Sequence, residues 1–455
     1  MTCVLGMVVR REREIRAFVK TPFYRVVSSI ALEGESFEGE WRAVEGSRYF
    51  QSPVLYKENG FKKKEDAQKL ICELSTQQPL ICTVEKIERK KENKNPPLLF
   101  NLAELQNVCS KLFKISPDET LSIVQDLYEK KLVTYPRTDA RVLSTAVAKE
   151  IYKNISGLRN YPQAGEAAQG ALELGAYKNI AKTRYTNDKQ ITDHYAIIPT
   201  GQGLGALKGL SLTAQRVYET IVRRFLSIFY PPAVYQKVSL VTKMENESFF
   251  SSFKVLLSEG YLKIAANSFA KKSMAEASGK TPESEGEGEV SCDEALLAAL
   301  QKLKKGDILN INGLGIKEGE TSPPKRYNSG SMILAMENAG QLIEDEDLRS
   351  QIKGSGIGTS ATRAEILKKL FNIRYLSLNK KTQVITPTLQ GEMIYDVVNC
   401  SIRQLLNPEL TASWEKGLTY VAEGSITEQE YMDKLEHFVT VSYTHLRAHE
   451  TLANL

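Results

Sequence analysis

The stretch Leu132-Val-Thr-Tyr-Pro-Arg-Thr-Asp139 places a tyrosine, an arginine and an aspartate at alternate positions of the chain. The ring of a proline clashes with the backbone of the residue before it, so Tyr135 is driven out of the helical conformation into an extended one. In an extended segment, side chains two residues apart point to the same side. The sequence therefore predicts that Tyr135 and Arg137 share one small volume.

A tyrosine beside an arginine suits phosphate chemistry. A phenol is a poor nucleophile at neutral pH unless a neighbouring positive charge or base assists it. Arg137 could supply that charge, and its planar guanidinium could hold a phosphate through two parallel hydrogen bonds. The plainer interpretation is a core tyrosine beside a surface salt bridge, in a chain that contains 20 tyrosines. The motif alone leaves both interpretations open.

Length and composition indicate a soluble protein of about three domains, since 455 residues exceed what one core organises. The net charge of +5 permits an acidic partner such as nucleic acid without requiring one. The six cysteines contain no CxxC pair, so neither a zinc site nor a disulfide framework is indicated. No apolar run reaches the roughly 20 residues that span a bilayer, so we expect a cytoplasmic protein without a membrane partner.

Local signals predict the elements around Tyr135. Asn101 with Glu104 has the pattern of a helix cap, and Ser116 before Pro117 starts a second helix that leads to the tyrosine. Periodicity predicts further helices at 4–18, 213–229 and 330–338, and strands at 24–30, 80–87, 237–242 and 249–257. The small, polar and then acidic run at 267–289 predicts a mobile surface loop.

Two further stretches carry chemistry. The first is His194-Tyr-Ala-Ile-Ile-Pro-Thr200, and the second is the glycine-rich run from Gly354 to Leu370. In the second run, Thr362 and Glu365 have the spacing of a capping box, and a glycine loop before a helix carrying Arg363 favours phosphate binding. The run lacks the Gly-Lys-Ser/Thr ending of a Walker A loop, so nucleotide hydrolysis is not indicated. An ordinary loop-to-helix junction is the alternative.

Taken together and in this order, the three stretches resemble the signature segments of type IA DNA topoisomerases, with a closer likeness to bacterial topoisomerase III. Pro323-Pro-Lys-Arg-Tyr327, Ala335-Met-Glu-Asn338 and Pro408-Glu-Leu-Thr-Ala-Ser-Trp-Glu415 add to the resemblance, which covers about residues 4–435. The combination is far more specific than any one of the motifs.

The resemblance implies a role for each matching residue. Tyr135 would attack single-stranded DNA and retain the 5′ phosphate, Arg137 would stabilise charge on that phosphate, and His194 would position phosphate or relay protons. Residues expected to contact the DNA are Arg326, Thr359, Thr362 and Arg363. Such contacts to the backbone would position the strand without reading its sequence. The family also implies a monomer.

The resemblance implies Mg²⁺ as well, held in the family by an acidic cluster in an N-terminal Toprim domain. That domain is expected before residue 1, so no metal ligands are expected in this sequence. Asp345 and Asp347 stand among glutamates, and we interpret them as a solvated surface.

The implied fold is a multidomain α+β toroid. It would combine a helical gate domain that carries the active-site tyrosine with a β-rich arch built from two separated segments. We expect a DNA-binding domain at 1–20 and 321–435, the arch at 21–96 and 211–320, and the gate at 97–210. The segment 436–455 is interpreted as an atypical tail, either a foreign extension or a misassembled end.

Two other functions are alternatives to cleavage by this chain. Without the metal-binding domain, the chain could bind single-stranded DNA passively through basic and aromatic side chains. A tyrosine recombinase also forms phosphotyrosine bonds, but that family carries its tyrosine near the C-terminus, after separated arginines and histidines. A nucleophile at position 135 of 455 fits that pattern badly.

Overall fold

The computed structural model describes residues 1–76, 78–269, 289–291, 294–339 and 356–453. Most of the loop predicted at 267–289 lies outside the described residues, as do Asp345 and Asp347. The chain divides into two compact units, each assembled from separated segments. One unit comprises Met1–Phe18, Pro97–Phe229 and Pro324–Leu455, and the other comprises Val19–Pro96 and Tyr230–Pro323.

The elements are numbered here in chain order. The strands are β1 (Pro22–Leu32), β2 (Glu35–Arg42), β3 (Leu55–Lys57), β4 (Gly60–Phe61), β5 (Ile81–Lys94), β6 (Ala233–Met244), β7 (Glu247–Ser258), β8 (Glu289–Ser291), β9 (Ile308–Glu320), β10 (Leu376–Leu378) and β11 (Ile385–Pro387). The helices are α1 (Thr2–Ala17), α2 (Lys64–Leu74), α3 (Leu102–Phe113), α4 (Pro117–Glu129), α5 (Thr145–Glu150), α6 (Tyr152–Gly157), α7 (Gly165–Leu174), α8 (Leu212–Ser227), α9 (Leu262–Ala265), α10 (Glu294–Lys302), α11 (Ser329–Glu337), α12 (Arg363–Asn372), α13 (Leu389–Ser401), α14 (Pro408–Ala422) and α15 (Glu428–Ala453).

The unit formed by 19–96 and 230–323 is built on a mainly antiparallel sheet in the order β2-β7-β6-β5-β9-β1-β4-β3. Strand β2 also pairs with β1, which closes six of these strands into a ring, and β8 pairs in parallel with β7. Alternate side chains of β6, such as Val238 and Leu240, are buried. They join Trp41, Phe61 and Leu70 in one apolar core, as the two-residue period of a strand requires.

The other unit is mainly helical, and its apolar core includes the first two turns of α1 and one face of α11 and of α12. Helices α3 and α11 approach closely at Gly330, where an added Cβ would lie 2.6 Å from Cα of Asn107. Glycine is therefore required at that crossing. Within the described residues, no helix combines the length and the apolar character needed to cross a membrane.

Two predicted helix caps, Asn101 and Ser116, are confirmed. The side chain of Asn101 accepts a hydrogen bond from the backbone N–H of Glu104, and that of Ser116 accepts one from Glu119. The strands predicted in the sheet unit form: β1, β6 and β7 exceed the predicted limits at both ends, whereas β5 begins one residue later than predicted and runs on to Lys94. The multidomain α+β class is confirmed, whereas the predicted six-part division stays a prediction. Helix α8 lies in the helical unit, and α15 runs through most of the segment 436–455.

Candidate active site

The Tyr135 stretch runs antiparallel to the segment His194–Thr200. The backbone N–H of Thr134 donates to Ile198 O at 3.0 Å, and that of Thr200 donates to Leu132 O at 3.0 Å. The β pairing of the stretch predicted to be extended is limited to an isolated bridge between Val133 and Pro199. The N–H of Thr138 donates to Pro136 O at 3.0 Å, which turns the chain at Arg137.

Two threonine hydroxyls strengthen this contact. Thr134 Oγ1 donates to Ala196 O and accepts from the N–H of Ile198, both at 3.0 Å. Thr138 Oγ1 donates to the backbone oxygen of His194 at 2.8 Å. The first two sequence motifs are thus fixed against each other on both sides of Tyr135.

Tyr135 is half-buried and lies between two other rings. The centroid of its ring is 4.3 Å from that of His194, with the planes inclined at 44°. The ring of Tyr128, at the end of α4, meets it edge to face at 5.5 Å. Because His194 itself is exposed, the imidazole is available both to Tyr135 and to a bound ligand.

The Tyr135 ring forms part of the wall of an open cavity of about 420 Å³. The lining consists of Tyr128, Lys131, Val133, Thr134, Tyr135, His194, Tyr195, Thr200 and Gln202. Tyr135, His194 and Lys131, which carry a phenol, an imidazole and an ammonium group, therefore line one space. Such a combination can bind a phosphate and move a proton beside it.

Arg137 is exposed and does not line this cavity. Burial alternates along the stretch: Pro136 and Thr138 are buried, whereas Arg137 and Asp139 are exposed. Burial therefore alternates as predicted, whereas the shared volume of Tyr135 and Arg137 stays a prediction. No carboxylate of the described residues forms an ion pair with Arg137, which leaves its charge open to a ligand.

The third motif reaches the same stretch from another direction. Gly356 packs against the end of α11, where an added Cβ would lie 2.7 Å from the carbonyl oxygens of Met336 and Glu337. The loop then leads into α12, and Nη1 of Arg363 contacts Oδ1 of Asp139 at 2.8 Å. The Arg363 side chain is only 6% exposed. The structure thus directs this guanidinium toward Asp139 and away from solvent.

Glu337 lies at the same junction. Its Oε1 accepts a hydrogen bond from Nδ2 of Asn101 at 2.7 Å and is 3.9 Å from Nη1 of Arg363. Burial raises the pKa of the Glu337 carboxyl above its ordinary value, while the positive charge of Arg363 opposes that change.

Thr359 and Thr362 are exposed in the loop before α12. The predicted capping box is wrong, because Oγ1 of Thr362 accepts from the N–H of Thr359 at 2.9 Å and makes no cap bond to the helix. The backbone of Thr362 is helical and not extended, so its hydroxyl completes a turn of the loop and does not cap α12.

Arg326 is paired with α1. Its Nε and Nη2 contact the two carboxylate oxygens of Glu12 at 2.7 and 2.9 Å. This hydrogen-bonded pair lowers the pKa of the Glu12 carboxyl. The arginine side chain is still 42% exposed, so one side of it remains open to solvent.

No group of three or more His, Cys, Asp or Glu side chains in the described residues could hold a metal ion. The residues present there do not fit the Mg²⁺ that the family resemblance implies.

Sequence reasoning missed the part that four residues take around the Tyr135 stretch. Tyr128 and Lys131 line the cavity with Tyr135, yet neither was predicted to belong to the site. Asn101 and Glu337 were recognised as a cap and as part of a motif, without a link to Tyr135. The position of Lys131 directly before the stretch was a usable signal, whereas the Asn101–Glu337 contact joins parts of the chain that are far apart in sequence.

The sequence and the fold of this chain both resemble those of known proteins. A family model described as DNA topoisomerase matches residues 1–433. The chain belongs to the DNA topoisomerase family. The chain is 31% identical over 441 residues to DNA topoisomerase 3 of Bacillus licheniformis and 30% identical to DNA topoisomerase 3 of Bacillus subtilis. The type IA, topoisomerase III-like resemblance predicted from the three motifs is confirmed.

The topoisomerase fold is also shared. Full-length topoisomerase I of Thermotoga maritima matches with a TM-score of 0.64 and 20% sequence identity, over 98% of this chain and 62% of that one. The alignments with the two Bacillus topoisomerases cover 96% of this chain and 54% of each relative. The chain thus spans about half the length of these relatives.

Proposed function

We propose that this chain carries the DNA-cleaving tyrosine of a type IA topoisomerase, with Tyr135 as the nucleophile and single-stranded DNA as the substrate. The observation that carries the proposal is the Tyr135 ring beside His194 in the wall of an open cavity. Family membership supports the reaction, and Lys131 in the same wall supports an anionic substrate. A buried core tyrosine would not share an open cavity with an exposed imidazole.

The reaction exchanges one phosphoester for another. The phenolic oxygen of Tyr135 forms a bond to the phosphorus of a phosphodiester, and the bond from that phosphorus to the 3′ oxygen breaks. The 5′ phosphate stays on the tyrosine, and the phenol proton ends on the released 3′ oxygen. Religation is the reverse transfer, so no ATP is needed. Passage of another strand between the two steps changes the topology of the DNA.

His194 and Arg137 take different parts in this transfer. The imidazole is close enough to Tyr135 to position the phosphate or to relay the phenol proton. Arg137, exposed and without a carboxylate partner in the described residues, stabilises the charge that develops on the phosphate. The ammonium of Lys131 adds to that stabilisation from the cavity wall.

The remaining contacts hold the DNA backbone. The exposed hydroxyls of Thr359 and Thr362 and the open side of Arg326 are suited to phosphate oxygens. Arg363 is not assigned to this set, because its side chain is buried against Asp139. Family resemblance supports a cytoplasmic monomer and a requirement for Mg²⁺.

A covalent-adduct assay tests the proposal. The chain is mixed with single-stranded DNA labelled at its 3′ end, with and without Mg²⁺, and the reaction is stopped with detergent. The 3′ label remains on the fragment that stays attached to the tyrosine. We expect an adduct from the parent chain and from Tyr152→Phe, an exposed tyrosine on α6, and none from Tyr135→Phe.

Each other outcome has a definite meaning. An adduct that survives Tyr135→Phe would exclude Tyr135 as the nucleophile. DNA binding without any adduct would exclude cleavage by this chain alone and identify it as a passive single-stranded-DNA-binding protein.

A further inference from the structure

The ion pair between Arg363 and Asp139 joins the start of α12 to the end of the stretch that carries Tyr135. Nη1 of Arg363 is 2.8 Å from Oδ1 of Asp139, and the side chains are 6% and 50% exposed, respectively. The arginine is therefore enclosed by protein, and its charge is directed at a residue four positions after the tyrosine.

Asn101 supplies a second connection at the same place. Its Nδ2 donates to the backbone oxygen of Asp139 at 3.1 Å and to Oε1 of Glu337 at 2.7 Å. The N–H of Leu102 donates to the oxygen of Thr138 at 3.1 Å. The start of α3, the end of α11 and the start of α12 thus meet around the backbone of Asp139.

The pair is poorly suited to a purely stabilising role. Nε of Arg363 is buried and has no hydrogen-bond partner among the described residues. Burying a guanidinium with part of its donor capacity unused costs free energy, and a buried ion pair often stabilises no more than apolar packing would. A role in orienting the stretch that carries Tyr135 accounts better for this buried ion pair.

We propose that Arg363 and Asp139 are positioning residues that hold Tyr135 at its cavity, and that Arg363 does not contact DNA. This inference rests on the proposed cleavage by Tyr135. One end of the short segment around the tyrosine is fixed by Thr134 against Ala196 and Ile198. The other end is held at Asp139 by Arg363 through the side chain and by Asn101 through the backbone oxygen. Loss of the ion pair loosens this end and lets the phenol shift relative to His194.

Binding and cleavage separate this role from a DNA contact. Asp139→Asn, Arg363→Gln and the double variant are compared for affinity to a single-stranded oligonucleotide across a salt series, and for adduct yield. We expect affinities within about twofold of the parent and an unchanged salt dependence, since no phosphate contact is removed. Adduct yield should fall by about tenfold to a hundredfold, because a misplaced reacting group is costly. The double variant should lose no more than the worse single variant.

The opposite result would overturn the inference. If Arg363 bound a phosphate, Arg363→Gln would lower the slope of log affinity against log salt by roughly 0.7. That change would identify Arg363 as part of the DNA-binding surface.

A spectroscopic measurement keeps this test independent of the cleavage proposal. The protein is labelled with 3-fluorotyrosine, and the fluorine signal that disappears in Tyr135→Phe is assigned to Tyr135. Asp139→Asn and Arg363→Gln should shift that signal in the same direction, and the double variant should add little. Lys368 lies on the same helix as Arg363 and forms an exposed ion pair with Asp118 of α4. Lys368→Gln removes that pair and should leave the Tyr135 signal in place.

The two proposals fail differently. A Tyr135 signal that stays in place in both pair variants would overturn the positioning role. A shifted signal in a protein that forms no adduct in any variant would support the positioning contact and overturn only the cleavage. Asp139→Asn nearly preserves side-chain shape at a half-exposed site, so it serves alone if Arg363→Gln does not fold.

Discussion

The ring of His194 lies against that of Tyr135, with the centroids 4.3 Å apart and the planes inclined at 44°. The two residues belong to separate motifs, and they meet because Thr138 Oγ1 donates to the backbone oxygen of His194 at 2.8 Å. The backbone of His194 is therefore fixed independently of its imidazole. Substitution of the side chain should change chemistry more than structure.

For His194→Ala, we expect adduct formation to slow by about a hundredfold, within the usual range for loss of a proton-transferring side chain. Affinity for single-stranded DNA should change much less. The measurement is a time course of adduct formation at saturating DNA. His437→Ala, an exposed histidine on α15, is the control. Equal rates for the two variants would remove His194 from the mechanism.

Thr134→Val should destabilise the helical unit. The substitution removes the acceptor for the N–H of Ile198, a fully buried residue, and the donor to Ala196 O. A buried donor without a partner costs about 1–3 kcal/mol in free energy of unfolding. Urea unfolding followed by far-ultraviolet circular dichroism measures that loss. Thr134→Ser keeps the hydroxyl and should recover most of it; a serine variant as unstable as the valine variant would show that the methyl group matters instead.

The free energy of unfolding of Glu337→Gln, relative to that of the parent, should increase as the pH rises from about 4 toward neutrality. Burial raises the pKa of the Glu337 carboxyl in the folded chain, so the unfolded chain loses its proton first. Deprotonation then favours the unfolded state, and stability falls as the pH rises through the folded pKa. Glutamine does not titrate, and its oxygen can still accept from Asn101.

The measurement for Glu337 is the difference in urea midpoint between variant and parent at several pH values. Arg363, Asp139, Asn101 and Arg141 are the groups that act on the Glu337 carboxyl, and all are present in both proteins. The midpoint difference should widen with pH. A difference that is constant from pH 4 to 7 would contradict the raised pKa.

Glu247→Gln should destabilise the sheet unit. The buried carboxylate accepts from Trp41 Nε1 at 2.7 Å, from Ser47 Oγ at 2.6 Å and from the N–H of Arg48 at 3.0 Å. A glutamine has one side-chain oxygen, so it can accept either from Trp41 and Ser47 or from the N–H of Arg48. Its NH₂ group would then face the donors that are left. We expect a loss of about 1–3 kcal/mol in free energy of unfolding.

Tryptophan fluorescence reports this change directly. The chain has two tryptophans, so a Trp414→Phe background leaves Trp41 as the probe. Glu245→Gln removes an exposed ion pair with Arg48 and is the matched control. Similar unfolding midpoints for the two glutamine variants would indicate that the buried network contributes little.

Much of the local structure could be predicted because its signals lie within a few residues. Asn101 and Ser116 cap the helices that they were expected to cap, since each side chain accepts from an N–H three residues later. Thr362 has the same spacing to Glu365, yet it bonds to Thr359. The backbone explains the difference: Asn101 and Ser116 are extended, as a capping residue requires, whereas Thr362 is helical.

The sequence by itself determined the family, the elements and the nucleophile candidate, because motifs, caps and apolar periods are local properties of the chain. Only the tertiary structure decided which distant side chains meet: His194 with Tyr135, Arg326 with Glu12, and Arg363 with Asp139. Such pairs depend on how helices and loops pack, and charge alone does not specify the partner. The resemblance implied a contact between Arg363 and DNA, whereas packing buries this side chain against Asp139 in the stretch that carries the tyrosine.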